Sequence, residues 1–226
     1  MRAVLFDLDG TLLDIDTGAF MARYFEAVGR VTVPGWRGDV LQALLAATRD
    51  MTLEHAGRTN EVVFWERFAE LTRMDRASWE PVFASFYDDV FPTLRCGAGP
   101  APGARGALQA AIERGYAVAI ATNPLFPRRA ILARLSWAGL SDLADGLLVT
   151  SYENSTACKP SLRYYTEVSA ALGVPPAECL MVGDDPSLDM SARHVGMHTW
   201  FVGRRGTALA DASGDLDSLS GWLSAP

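Results

Sequence analysis

Hydrophobic positions along this chain fall into two patterns that change near residue 100. From residue 101 onward, short apolar runs alternate with stretches of helical periodicity. The runs are YAVAIATN (116–123), GLLVTS (146–151), ECLMVGDD (178–185) and HTWFVG (198–203). Between them lie ARGALQAAIERG, RRAILARLSWAGL, SLRYYTEVSAALG and SLDMSARHVG, three of them ending in the glycine that commonly terminates a helix. The opening run AVLFDLD (3–9) reads as one more strand. Strands alternating with helices predict crossover connections, and therefore an α/β fold with a parallel, Rossmann-like sheet flanked by helices and buried on both faces.

Residues 15 to about 95 follow the second pattern. TGAFMARYFEAVG, GDVLQALLAATRD, NEVVFWERFAELTR and ASWEPVFASFYDDVF carry helical spacing and no clear strand, which predicts an all-helical insertion. Its aromatic residues Trp36, Phe64, Trp65, Phe68, Trp79, Phe83, Phe86 and Tyr87 suit the core of a helix bundle. The Gly/Pro-rich segment CGAGPAPGARG (96–106) returns the chain to the sheet as a linker. Its Gly97-x-Gly99 spacing does not make a dinucleotide fingerprint, because prolines interrupt it and no strand leads in.

Composition changes this picture in a few respects. With 20 basic and 27 acidic residues the net charge is −7, which argues against nucleic acid or an anionic membrane as the main partner. No apolar run approaches a membrane span, and the run within MRAVLFDLDG is too short for a signal segment. The three cysteines, Cys96, Cys158 and Cys179, are odd in number and lack C-x-x-C spacing, so reduced thiols and a cytoplasmic setting are expected. Asn154-Ser155-Thr156 matches a glycosylation sequon, which carries no weight without an export signal. All basic residues but one are arginine; the exception is Lys159, in ACKPS.

In open parallel sheets, ligands bind beyond the carboxyl ends of the strands. The first strand runs out into Asp7-Leu8-Asp9-Gly10-Thr11, and a later one into Thr122-Asn123. Lys159 follows the GLLVTS strand, and ECLMV runs out into Gly183-Asp184-Asp185, with Asp189 four residues beyond Asp185. Asp7 and Asp9 share a face of an extended segment, and Gly10 permits the sharp departure that exposes both. Two carboxylates about 4 Å apart repel by roughly 4 kcal/mol at an effective dielectric near 20, so this cluster requires a counter-ion. Oxygen donors without nearby His or Cys favour Mg²⁺.

DLDGT, a hydrophobic strand ending in Thr-Asn, Lys-Pro, and GDDPSLD, in that order, resemble the four motifs of the haloacid dehalogenase-like hydrolase superfamily. The resemblance covers the sheet region from end to end and implies a helical cap between the first and second motifs. It divides the chain into a catalytic core of residues 1–14 and 97–226 and a cap of residues 15–96. It also implies a Mg²⁺-dependent phosphatase acting on a small phosphorylated metabolite. Asp7 would be the nucleophile that forms an aspartyl-phosphate. Asp9 would be general acid and then general base. Dehalogenase members lack an acid at that position, so Asp9 favours phosphoryl transfer. The Thr122 hydroxyl and backbone N–H groups around Gly10 and Asn123 would hold phosphoryl oxygens, and Lys159 would neutralise Asp7 and the phosphate together. The metal ligands would be Asp184, Asp7 and the backbone carbonyl of Asp9, with Asp185 or Asp189 acting directly or through water. A phosphomutase or phosphotransferase, and a phospho-aspartate receiver, are the alternatives this constellation leaves open.

Other patterns receive plainer readings. Asp215-Leu216-Asp217 repeats the D-x-D spacing, but no strand is evident before it and a helix start is expected. His194 and His198 are interrupted by Gly196, which removes a helical metal pair. Arg23 and Arg128 or Arg129 are candidates for a second anionic group of the substrate. Pro160 suits the first turn of the helix after Lys159. The oligomeric state and the identity of the substrate are not legible in the sequence.

Overall fold

The computed structural model describes residues 1–203 and 207–224. Its central strand β1 (Ala3–Phe6) has every side chain buried. Successive strand side chains point to opposite faces: Val4 and Phe6 join one hydrophobic cluster, and Ala3 and Leu5 join another. The remaining strands are β2 (Leu13–Asp14), β3 (Gly99–Pro100), β4 (Ala117–Ile120), β5 (Leu148–Val149), β6 (Cys179–Gly183), β7 (His198–Val202) and β8 (Ala212–Gly214). Six of them form a parallel sheet in the order β5-β4-β1-β6-β7-β8. The chain builds outward from β1 through β4 to β5, then crosses to β6 on the other side. A crevice therefore opens between β1 and β6, where the direction of winding switches. Phe6 is level with both Ile120 and Val182, so the segments after β1, β4 and β6 emerge side by side.

The five strands read from the apolar runs are all present, each shorter than its run, because the polar residues at their ends leave the ladder for the crevice. Three short strands were not anticipated. β2 and β3 pair antiparallel where the chain leaves and re-enters the sheet region, so the 96–106 linker is partly ordered. β8 pairs with β7 and ends at Gly214, which corrects the expectation that no strand precedes Asp215. Three small residues, Ala-Ser-Gly, carry no periodic signal. Asp215 does start a helix, its carboxylate accepting the Ser218 N–H.

Between β2 and β3 lie α1 (Thr17–Val28), α2 (Val40–Met51), α3 (Asn60–Thr72) and α4 (Arg76–Ser85). Asp16, Asp39, Thr59 and Asp75 cap them, each side chain accepting a first-turn backbone N–H. A π-helical turn (Phe86–Val90) and a 3-10 turn (Phe91–Leu94) follow. The expected aromatic core is there: Trp79 packs on Trp36 and Phe68 with centroids 4.9 and 5.2 Å away, and Phe83 lies 5.5 Å from Phe68. Helices α5 (Ala104–Glu113), α6 (Arg128–Trp137), α7 (Ser141–Ala144), α8 (Leu162–Ala171) and α9 (Leu216–Ser224) belong to the sheet region. α5, α6 and α9 cover the face of Val4 and Phe6, while α8 covers that of Ala3 and Leu5. SLDMSARHVG forms a 3-10 helix (Met190–Val195) rather than an α-helix. No helix among the described residues is long and apolar enough to cross a membrane, and the three cysteines are free thiols.

The insertion is seated on the sheet region through the first turn of α3. The backbone N–H groups of Asn60 and Glu61, which a helix leaves without internal acceptors, donate to the carbonyls of Ser155 and Tyr152 at 2.8 Å each. The buried Asn60 Nδ2 donates to the Pro124 carbonyl (3.1 Å) and to Cys158 Sγ (3.3 Å). Asn60→Ala strands the Pro124 carbonyl and is expected to lower unfolding free energy by about 1–3 kcal/mol in urea titrations. An unchanged midpoint would show that this contact does not secure the insertion.

Candidate active site

Asp7 follows β1 directly, its N–H donating to the Val182 carbonyl at 2.8 Å, so its backbone is an extension of the sheet. Beyond it the chain turns back on itself, the N–H groups of Thr11, Leu12 and Leu13 all directed at the Leu8 carbonyl. Gly10 makes that turn at φ +84, and a Cβ there would run into the Asp184 carboxylate. Both its conformation and the space require glycine. The turn brings Thr11 Oγ1 to 3.1 Å from Asp184 Oδ1, where it donates a hydrogen bond across the β1–β6 crevice.

Lys159 arrives from the loop after β5. Its ammonium donates to Asp7 Oδ1 at 2.7 Å and to Asp189 Oδ1 at 2.6 Å, and the residue is 4% exposed. The loop is held by side chains on every side. Asn123 Oδ1 accepts the Lys159 N–H, while Asn154 accepts from the Ser151 N–H and donates to the Val149 carbonyl. The sequon asparagine is thus a structural clamp. Pro160 lies before α8 rather than in its first turn, because Ser161 occupies the N-cap and Leu162 starts the helix. Thr122 is buried, and its carbonyl accepts from Thr150 Oγ1 (2.7 Å) and the Tyr164 hydroxyl (2.9 Å).

After β6 the three acids separate in role. One oxygen from each of Asp7, Asp184 and Asp189 lies within 4.8 Å of the others, and Asp185 is not part of that group. Asp185 Oδ1 accepts the N–H groups of Ser187 and Leu188, closing the turn that follows it. Asp189 is buried, with Oδ2 accepting the Asp185 N–H, and packs so closely on Gly183 that a Cβ there would strike its carboxylate. Burial pushes Asp7 well above the ordinary carboxylate range; Lys159 opposes this, and the charges of Asp189 and Asp9 add to the rise. Burial also opposes the Lys159 charge, but Asp189 and Asp7 outweigh it and hold the ammonium well above an ordinary lysine. Asp184 is pushed up to about 6 by burial and by Asp189, against the hydrogen bond from Thr11. Three clustered carboxylates face one ammonium, so the residues present fit a hard divalent cation held by oxygen donors.

Among the described residues, none of the three candidate arginines is paired with an acid of the cluster. Arg23 is exposed and Arg129 pairs with Asp88 at the surface. The Arg128 backbone N–H is bound by Glu153. The arginine at the site is Arg134, buried on α6 and paired with Asp9. Its signal in the sequence is an arginine on the apolar stripe of Ala130, Ile131, Leu135 and Ala138. Thr11, which belongs to the DLDGT run, is the other residue that the reading of strand ends overlooked.

A parallel sheet with a carboxylate at the end of its central strand, a lysine from the loop after β5 and acids after β6 defines an α/β protein whose reactive groups gather beyond the strand ends. The model of the haloacid dehalogenase-like hydrolase family matches residues 1–194, and the chain belongs to that family. A phosphatase of Mycobacterium tuberculosis is 30% identical over 99% of this chain and 97% of its own length. The phosphoglycolate phosphatase of Rhodospirillum rubrum is 29% identical over 100% and 92%. Among solved structures, a phosphatase of the same family from Thermococcus onnurineus superposes with a TM-score of 0.58 at 23% identity, covering 99% of this chain and 98% of its own. The L-2-haloacid dehalogenase of Xanthobacter autotrophicus, with chloropropionic acid covalently bound, gives 0.59 at 21% identity over the same shares. These two show the shared fold.

Between the ordinary aspartate value of about 3.9 and about 6, the folded metal-free protein holds a proton on Asp184 that the unfolded chain has lost. That contribution to stability is complete below the lower value and disappears as pH rises through the upper one. Metal-free Asp184→Asn is therefore expected to gain stability relative to wild type between about pH 4.5 and 7 in urea titrations. A constant difference across that range would contradict the assignment.

Proposed function

We propose that this chain is a magnesium-dependent phosphatase that hydrolyses a phosphate monoester of a small metabolite through an aspartyl-phosphate on Asp7. In this reading, residues 15–96 are a cap over a catalytic core of residues 1–14 and 97–226. The observation that carries it is the Lys159 ammonium between Asp7 and Asp189, beside Asp184, with a second carboxylate, Asp9, two residues after Asp7. The relatives named as phosphatases support phosphoryl transfer, and Asp9 favours it over carbon–halogen cleavage.

Asp7, Asp184 and the Asp9 backbone carbonyl would hold the magnesium, with Asp189 or Asp185 acting directly or through water. Bound there, the ion would neutralise charge on the phosphoryl oxygens. The Asp7 oxygen that Lys159 leaves free attacks phosphorus, the bond to the ester oxygen breaks, and Asp9 gives that oxygen its proton. Lys159, the Thr122 hydroxyl and backbone N–H groups around Gly10 and Asn123 hold the non-bridging oxygens as charge spreads over them, the Gly10 N–H itself being taken by the Leu13 carbonyl. A water then attacks phosphorus and passes its proton to Asp9, and the bond to Asp7 breaks, restoring both carboxyl groups. A lysine suits this position because a compact ammonium fits between two carboxylates and tetrahedral oxygens, where a planar fork would crowd them. The three free thiols agree with a cytoplasmic setting.

With Mg²⁺ the protein is expected to release inorganic phosphate from p-nitrophenyl phosphate, and Asp7→Asn to abolish that release. Activity in Asp7→Asn equal to wild type would refute the mechanism, as would isotopic label passing into an organic product instead of inorganic phosphate. Lys159→Arg keeps the charge, yet kcat/KM is expected to fall by ~10²-fold or more. Circular dichroism should show that variant folded, and near-normal turnover would mean that charge alone suffices.

A further inference from the structure

Asp9 is held by a partner that the reaction scheme does not use. Its Oδ2 is paired with Nη1 of Arg134, which lies 125 positions away on α6. Arg134 is 2% exposed, and its guanidinium carbon lies 4.7 Å from the centre of the Phe126 ring. Phe126 is in turn packed against Phe20, Tyr24 and Phe91 of the insertion, with centroids 6.5, 5.2 and 6.1 Å away. Arg134 Nε faces the Ala130 carbonyl at 3.4 Å. A guanidinium walled in this way has little freedom. A charge buried so deeply requires a partner, and Asp9 is its only carboxylate partner among the described residues.

The pairing is single-pronged, although arginine and carboxylate commonly meet through two parallel hydrogen bonds. Asp9 Oδ1 and Arg134 Nη2 are both buried without a hydrogen-bond partner among the described residues. Buried polar atoms in that condition are rare. One oxygen of Asp9 is pinned, while the other oxygen and a donor of the arginine that pins it are buried without partners.

We infer that Arg134 is a positioning residue for proton transfer: by pairing with Oδ2 it fixes the Asp9 carboxyl group in the orientation from which it exchanges the proton with the leaving oxygen. Because Phe126 stacks on the guanidinium and is clamped by α1 and Phe91, the seating of the insertion and the aim of Asp9 are mechanically linked. This inference rests on the reading of Asp9 as the proton-transfer group.

The test compares two esters that differ in their need for a proton. An alkoxide leaves slowly unless protonated, whereas p-nitrophenolate leaves unaided, and kcat/KM covers only the steps up to phosphorylation of Asp7. Arg134→Met is expected to lose on the order of 10²-fold in kcat/KM on methyl phosphate, and at least about tenfold less than that on p-nitrophenyl phosphate. In an Asp9→Asn background the same substitution should add no further loss on methyl phosphate. Equal losses on both esters, or an undiminished loss in the Asp9→Asn background, would overturn the inference. A loss confined to esters that carry a carboxylate would also overturn it, by making Arg134 an anion-binding residue. Arg134→Lys, which retains the buried charge, carries the same comparison should the methionine variant fail to fold. Undiminished turnover in Asp7→Asn would instead refute the aspartyl-phosphate mechanism on Asp7, so the two failures are separable.

Discussion

The Lys159 ammonium, buried between Asp7 and Asp189, is the contact on which the arrangement of the site depends. It joins the ends of β1 and β6 through a residue delivered from the β5 side of the sheet. Burying any one of these charges alone would be costly, and together they are tolerated because one oxygen of each carboxylate meets the ammonium at hydrogen-bond distance. That distance in turn demands the parallel register that sets Phe6 level with Val182. A slip of one residue would reverse the facing of every side chain beyond β1. The remaining imbalance, three clustered carboxylates against one lysine, is what makes the crevice fit a hard divalent cation.

The loop that carries Lys159 is also where the helical insertion comes to rest. Asn60 and Glu61 donate to the carbonyls of Ser155 and Tyr152, and Asn60 reaches Pro124 and Cys158 as well. Asn123 holds the Lys159 backbone from the β4 side. Any shift of α3 therefore bears on the segments after β4 and β5 together. A second seam runs through Phe20, Tyr24 and Phe91 to Phe126, and so to Arg134 and Asp9. The insertion thus touches both the lysine loop and the support of Asp9.

Much of the candidate site was legible because polar residues at the end of an apolar strand stand out against their neighbours. Asp7, Asp9, Thr122 and Asp184 lie at or just beyond such ends, and Lys159 and Asp189 lie further along the segments that follow β5 and β6. Asp185 and Asp189 were indistinguishable by spacing. The turn after β6 separates them, directing an oxygen of Asp185 to the Ser187 and Leu188 N–H groups while Asp189 is buried against Gly183. Arg134 was obscured by abundance, since nineteen arginines offer many exposed decoys. Thr11 had no role until the Gly10 turn brought it to Asp184.

Period and punctuation are local properties, and they were enough to locate the five principal strands, the helical insertion and the order of the four motifs along the chain. A run of apolar residues must be covered wherever it goes, so its length and spacing reveal the element without reference to a partner. β2, β3 and β8 lacked that signal because two or three small or polar residues become a strand only when a neighbour offers its edge. The same holds for the chemistry. Carboxylates can be counted from the sequence, but which of them share a lysine, which one closes a turn and which one an arginine pins were decided only when the sheet register and the seated insertion brought distant side chains within hydrogen-bond reach. The physical reason is that hydrogen bonds and ion pairs act over a few ångströms, whereas the partners here are separated by as many as 173 positions of chain.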